Sequence, residues 1–568
     1  MRFIPVRLWA LAVLSGLLQL LPFPIAGPTP LWRTAFCWVA LLPLLAALVG
    51  KNREGKPLTV FQGTLLGYAC GFLWYLGNCY WIYQTMHLFG GLSKPIAAGI
   101  LILFSLYLGL YHAIFAGLMT ALRRSRFGVQ GALLLSPFLW VAVELARARI
   151  TGLPWDLLGY AQVDNPLLTR LAPITGVYGL SFIIAAVNAL WLVRIQLKER
   201  RYTRTLLTLT GVVLVLLYVV ALRKFQPPVR VPTTAVATLV QHNLSVGAEG
   251  EVHESAQDMY NSFTRYSLFP PGMRCNGIPE LAGTTCADPA TQRPGYVNGG
   301  IVLQPTDLLI WPESPSNFEE RDPAFIDAIS SLARAAHAPV IAGNIGIVAD
   351  PAKKFGYTPY NRASFITADG TLAGHYDKMH LVPFGEYTPY KKIFFFAGSL
   401  LGDVGLFEPG TVRTVFSTGG HHYGTFICYE SIFGDEIRQF ADEGADVLIN
   451  IANDGWYGDT GAPWQHLNMV RMRAIENHRW VLRATNTGVT AAIDPYGRVT
   501  SAAPRHILTA LRVGFGYEQD ITFYSHYGDL FAYFCAFITV LALLDAIRRR
   551  RTNKLQPAPQ AELQHEMN

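Results

Sequence analysis

Cys428, Glu313 and Lys378 have the side-chain types that thiol-mediated acyl chemistry needs. Cys428 closes an apolar β-type run, 424–430, that reads G-T-F-I-C-Y-E, and a helical pattern follows over 431–440. A thiol on such a strand-to-helix turn is exposed near a helix N-terminus, and both features favour the nucleophilic thiolate. A lone cysteine in an apolar run is, about as often, a small packing residue. Two upstream segments tip the balance. Residues 308–314 read L-L-I-W-P-E-S, a strand ending on Glu313, and 375–386 read H-Y-D-K-M-H-L-V-P-F-G-E and carry Lys378. A thiol attacking a carbonyl needs a base for its proton and a cation or donor for the oxyanion that develops. Glu313 supplies the first and Lys378 the second.

The order Glu, Lys, Cys, with W-P-E-S, K-x-H-L-V-P-F-G-E and I-C-Y-E around it, resembles the nitrilase (carbon–nitrogen hydrolase) superfamily. The match is best to its membrane-embedded branch, the apolipoprotein N-acyltransferases, and it covers nearly the whole chain. The resemblance implies an αββα sandwich and an acyl-thioester on Cys428. It also implies a phospholipid acyl donor and, as acceptor, the α-amino group of a diacylglyceryl-cysteine at the N-terminus of an apolipoprotein. It makes Glu386 a further active-site carboxylate and gives Glu430 a supporting role. Asn453, Asp454 and Trp456, in N-I-A-N-D-G-W-Y, line the pocket in such enzymes. Trp155, in G-L-P-W, falls where the family opens from the bilayer toward the site. Tyr429 can offer its backbone N–H to the oxyanion, as residues after other nucleophiles do. His466 invites a Cys–His dyad, but Glu313 and Lys378 already fill those roles, so a structural histidine is expected. With no Gly-rich phosphate loop and no metal-ligand spacing, neither metal nor organic cofactor is expected.

These residues need a scaffold, and the composition says it is partly membrane. Hydrophobic residues make up 51% of the 568 and charged residues 15%, well short of the usual quarter. Apolar runs long enough to span a bilayer lie near 8–25, 32–49, 61–83, 95–122, 131–146, 171–193, 206–222 and 530–547. Arg2 and Arg7, then Lys51, Arg53 and Lys56, then Arg123, Arg124 and Arg126, then Arg194 to Arg204, and last Arg548 to Arg551 all fall on one side if the spans alternate. The positive-inside rule makes that side cytoplasmic. The formal net charge of +7 is therefore a topology signal, and no nucleic-acid partner is expected. The segment carrying the three chemical residues then lies outside, in the periplasm of a bacterium with two membranes. Glu144, ending the fifth span, marks a functional site or a hydrated interface residue; Trp155 and Tyr160 also fit an aromatic belt.

The expected organisation is a transmembrane bundle over 1–225, a catalytic domain over 231–515, a last span over 526–547 and a cytoplasmic tail over 548–568. In the catalytic part, β-rich runs at 235–240, 308–311, 340–342, 363–366, 424–427 and 447–451 alternate with helical patterns, which indicates α/β layers. A Pro/Gly-rich insertion over 263–306 holds Cys275 and Cys286, which a periplasmic setting would pair as a disulfide. The apolar, aromatic stretch 391–407, with glycines at 398, 402 and 405, reads as a lid dipping into the membrane surface. Two other functions share parts of this pattern. A membrane-tethered amidase would use the same triad on a soluble carbon–nitrogen bond, and a transporter or receptor with a degenerate sensor domain would have lost a triad member.

Overall fold

The computed structural model of the chain describes residues 4–196, 228–246, 255–268, 306–313, 318–353, 356–387 and 407–555, with residues 211 and 270 and four two-residue strand pieces between 275 and 301. The expected seventh span (206–222) and nearly all of the expected lid (391–406) lie outside the described residues, as do the side chains of Cys275 and Cys286. The backbones of those two cysteines are direct antiparallel partners.

Among the described residues, five helices are long and apolar enough to cross a membrane: Leu31–Val49, Lys94–Arg123, Gly128–Thr151, Val177–Arg194 and Leu530–Arg548. Val6–Leu20 is apolar but shorter, and Val60–Asn78 packs among them. Small residues set the tightest contact. Gly63, Gly67 and Gly71 recur every fourth residue, and a Cβ on Gly67 would collide with the His112 carbonyl and the Ala116 methyl of the facing helix. Close backbone approach of this kind is what drives helices together where lipid removes the hydrophobic incentive. Leu31–Val49 is broken at 35–36 and at 41. Asn188 repairs the second break: its Oδ1 accepts from the N–H groups of Leu41 and Leu42, both at 3.0 Å, and its Nδ2 donates to the Cys37 carbonyl at 2.9 Å. Backbone groups freed inside a bilayer need such partners.

The remainder is a two-sheet sandwich. We number its strands β1 Ala235–Gln241, β2 Leu308–Ile310, β3 Val340–Ala349, β4 Tyr357–Ile366, β5 Leu372–Asp377, β6 Val415–Thr418, β7 His421–Ile427, β8 Val447–Ala452, β9 Val481–Thr485, β10 Ala491–Ile493, β11 Val499–Ala502 and β12 Thr509–Phe515. One sheet runs β12-β1-β2-β3-β4-β5 and the other β6-β7-β8-β9-β10-β11. Each has a parallel centre, β1-β2-β3 and β7-β8-β9, flanked by antiparallel strands. Parallel strands covered on both faces read as unbroken apolar runs, and β8, V-L-I-N-I-A, is buried throughout. The inner faces meet through Leu239, Ile310, Phe365, Phe426, Ile449 and Leu482. Helices Ala256–Leu268 and Pro323–Ala336 cover the first sheet, and Gly434–Asp442 and Ala462–Asn477 cover the second, completing the expected αββα layers. The first of these helices falls partly within the stretch read as an insertion.

Candidate active site

Glu313 lies three residues beyond β2, Lys378 one beyond β5, and Cys428 directly after β7. The first two come from one sheet and the third from the other, so the site sits where the two sheets' strand ends meet. Lys378 is 1% exposed. Its Nζ donates to Glu313 Oε1 at 3.0 Å and to Glu386 Oε1 at 2.9 Å. Asn361 on β4, a residue the sequence reading passed over, donates from Nδ2 to the same two oxygens, at 2.8 and 2.7 Å. The second oxygens are held by main chain: Asn453 N–H on Glu313 Oε2 at 2.9 Å and Val382 N–H on Glu386 Oε2 at 2.7 Å. Burial alone would depress the Lys378 ammonium, but Glu313 and Glu386 outweigh it and hold the group well above its ordinary value. It is a fixed cation.

Cys428 departs from the expected setting. The turn after β7 is a 3-10 helix, Cys428–Ile432, and the α-helix starts only at Gly434. The thiol therefore has no α-helix N-terminus to lower its pKa, and it is 5% exposed rather than open. Burial, with the Glu313 carboxylate adding to it and Lys378 opposing, pushes the thiol well above its ordinary value. One ammonium faces two carboxylates, so losing the thiol proton to solvent would add a second net negative charge to a desolvated site. Passing that proton to Glu313 leaves the charge unchanged. This charge balance disfavours a standing thiolate. Cys428 also holds φ at +48°, in the left-handed region that disfavours a side chain. As the second residue of the 3-10 turn, Tyr429 has a backbone N–H that the turn itself does not satisfy.

Glu430 does not contact the Lys378 ammonium. Its Oε1 accepts from Tyr376 Oη (2.8 Å), Met379 N (2.7 Å) and His380 N (3.2 Å), and its Oε2 accepts from Ile427 N (2.7 Å). It ties the chain next to Lys378 to the chain next to Cys428. Beneath Cys428, His466 Nε2 donates to the Cys428 carbonyl at 3.0 Å while Nδ1 meets Asp454 Oδ1 at 2.8 Å. Arg483 donates to Asp454 Oδ2 at 2.6 Å and also bonds Asn450. Burial would raise the Asp454 carboxyl, but Arg483 and His466 overcome it and hold the group below its usual range. Cys428, Asp454 and His466 bring ligand-type atoms within 4.8 Å of one another, a spacing that could hold a metal ion. The Arg483 guanidinium already supplies the cation, and both imidazole nitrogens are engaged by protein. His466 thus bonds the Cys428 backbone through Nε2 and the Asp454 carboxylate through Nδ1.

A family model for the apolipoprotein N-acyltransferase N-terminal domain matches residues 15–190, and one for carbon-nitrogen hydrolases matches residues 237–511. The apolipoprotein N-acyltransferase of Geobacter metallireducens is 32% identical, covering 96% of this chain and 96% of that protein. That of Methylococcus capsulatus is 31% identical over 97% of this chain and 98% of its own length. This chain belongs to the apolipoprotein N-acyltransferase family. The Haemophilus influenzae enzyme of the same name, 29% identical over 95% of this chain and 96% of its own, agrees. The chain is an N-acyltransferase and a membrane protein, which sets aside the amidase and sensor readings.

The transferase buries several residues expected at its surface. Trp155 is 1% exposed and Tyr160 is buried, so neither belongs to an aromatic belt. Trp155 Nε1 donates to Gln465 Oε1 at 2.8 Å, and Arg473 donates to Tyr160 Oη at 2.9 Å, across the junction of bundle and sandwich. Trp155 therefore does not line an open pocket in this conformation. Trp456 is half-exposed and meets Phe89 of the bundle edge to face, 6.2 Å between ring centres. Its carbonyl accepts from Thr85 Oγ1 at 2.9 Å. Glu144 is not hydrated at an interface. It is buried, accepting from Trp140 Nε1 at 3.0 Å and Leu158 N at 2.8 Å, and it lines a small cavity with Gln19, His112 and Arg147.

Proposed function

We propose that this transferase moves a fatty acyl chain from a membrane phospholipid, through a thioester on Cys428, to the α-amino group of an N-terminal diacylglyceryl-cysteine on an apolipoprotein. The observation that carries the reading is the pairing of Lys378 with Glu313 and Glu386 beside a buried, conformationally strained thiol. Cys428 attacks the ester carbonyl as Glu313 takes the thiol proton. Lys378 and the Tyr429 N–H hold the oxyanion. The tetrahedral intermediate expels the lysophospholipid alkoxide, which takes the proton back from Glu313. The neutral amine of the acceptor then attacks the thioester, Glu313 receives its proton, and Cys428 leaves as a thiol with that proton returned. The kinetics are ping-pong. Glu386 keeps Lys378 charged throughout, and Glu430, Asn453, Asp454 and Trp456 shape the surroundings.

The active site faces the periplasm. Arg123, Arg124 and Arg126 lie before the start of the helix Gly128–Thr151, and its other end leads to the loop that meets the sandwich. Opposite placement of the basic cluster and the sandwich supports an outside catalytic domain over 231–515 hung from a bundle over 1–225. The last helix, Leu530–Leu555, returns to the arginine side, where Arg126 pairs with Asp545 at 2.7 Å.

Intact-mass measurement of the purified chain with phospholipid, beside Cys428→Ala, tests the reading. An acyl increment absent from the variant and discharged by a diacylglyceryl-cysteine peptide is expected. Discharge by water alone would point to a lipid hydrolase, and no increment in folded protein would end the covalent mechanism.

A further inference from the structure

Two adjacent residues of the helix Ala462–Asn477 face in different directions. Gln465 reaches the membrane bundle: its Oε1 accepts from Trp155 Nε1 at 2.8 Å, and its Nε2 donates to the Pro24 carbonyl at 2.9 Å and the Asn78 carbonyl at 3.2 Å. His466 reaches the nucleophile, donating to the Cys428 carbonyl at 3.0 Å. The Trp155 indole also lies against the His466 ring, centres 6.0 Å apart and planes 25° from parallel. Tyr457 closes on the same imidazole edge to face at 6.1 Å. On the far side of the turn, Tyr429 Oη donates to the Gly152 carbonyl at 3.2 Å. The loop 152–155 thus holds the residue after Cys428 through Gly152 and the partner of the Cys428 carbonyl through Trp155, next to a backbone angle that an unrestrained cysteine avoids.

We propose that Trp155 is a positioning residue for Cys428: by seating Gln465 and His466, the docked membrane bundle holds the nucleophile in its reactive geometry. The catalytic domain is then complete only on its own bundle. A tryptophan that served lipid entry alone would affect acylation by lipid and leave the intrinsic reactivity of the thiol untouched. A positioning tryptophan affects both. This inference rests on Cys428 being the nucleophile, and its test uses a probe that needs no lipid path.

The probe is iodoacetamide, with alkylation of the Cys428 peptide followed by mass spectrometry on the full-length chain in detergent, across pH 6 to 10. Trp155→Leu removes both the ring contact and the N–H; Trp155→Phe keeps a ring and is the milder change. Trp155→Leu is expected to change the Cys428 alkylation rate about tenfold or more and to move its pH profile, since small displacements of reacting groups carry large rate effects. Trp155→Phe should fall between it and the parent, and decides the matter if the leucine variant does not fold. Parent rate and parent profile in the folded variants would overturn the coupling, even if phospholipid acylation fell. A parent chain that never acylates Cys428 would instead overturn the nucleophile assignment beneath it.

Discussion

Asn361 and Lys378 donate to the same two acceptors, Oε1 of Glu313 and Oε1 of Glu386. The four groups close a ring in which each Oε1 oxygen accepts from the one amide and the one ammonium. Removing the amide leaves two buried carboxylates under-bonded, a loss of about 1–3 kcal/mol. Asn361→Ala is expected to slow acyl-enzyme formation about tenfold or more, and Asn361→Asp, which adds a third negative charge, to slow it further. Single-turnover intact-mass kinetics would show it. Equal rates in all three proteins would mean that Asn361 only fills space.

The buried thiol gives the second prediction. Its pKa is raised by burial and by Glu313, so thiolate absorbance should emerge at higher pH than for a solvent-exposed cysteine. Glu313→Gln removes one of the raising influences, so the thiol should ionise at lower pH than in the parent. The same change removes the proposed base, so acylation by phospholipid should fall about 10²-fold or more. A variant with easier ionisation and intact acylation would show that Glu313 tunes the thiol without taking its proton.

Glu430 accepts four hydrogen bonds with two oxygens. In Glu430→Gln one oxygen becomes an NH2 facing an N–H or O–H donor, so at least one buried bond turns into a donor–donor contact. The expected cost is about 1–3 kcal/mol of stability, read as a lower thermal midpoint. Acyl-enzyme formation should fall with it, because the Lys378 and Cys428 segments are no longer tied. An unchanged midpoint would argue that solvent already reaches this carboxylate.

In the bundle, Gly67→Ala forces a methyl into the His112 carbonyl and the Ala116 side chain. Overpacking of this kind costs about 1–3 kcal/mol. Gly99→Ala meets nothing within 4 Å and serves as the control. Thermal unfolding in one detergent should separate the two, with only the Gly67 variant losing stability.

What the sequence determined by itself was local in the chain. Glu313, Lys378 and Cys428 stand out through the few residues around each. The spans stand out because some twenty apolar residues in a row have few other uses. β8 was legible as a buried apolar run, whereas β5, whose first residues are mostly exposed, left no such run. What the tertiary structure decided depends on partners distant in sequence. Asn361 carries no motif and gains its role only because β4 sets it against a glutamate 48 residues away. The thiol's protonation follows from burial and from the charges packed around it, which reversed the expectation of an exposed thiolate on a helix end. Trp155 reads as an interfacial aromatic until a glutamine 310 residues later takes its N–H. A chain pattern encodes which face of an element is apolar; it does not encode which element covers that face, and burial, pKa and hydrogen-bond partners are fixed by that cover.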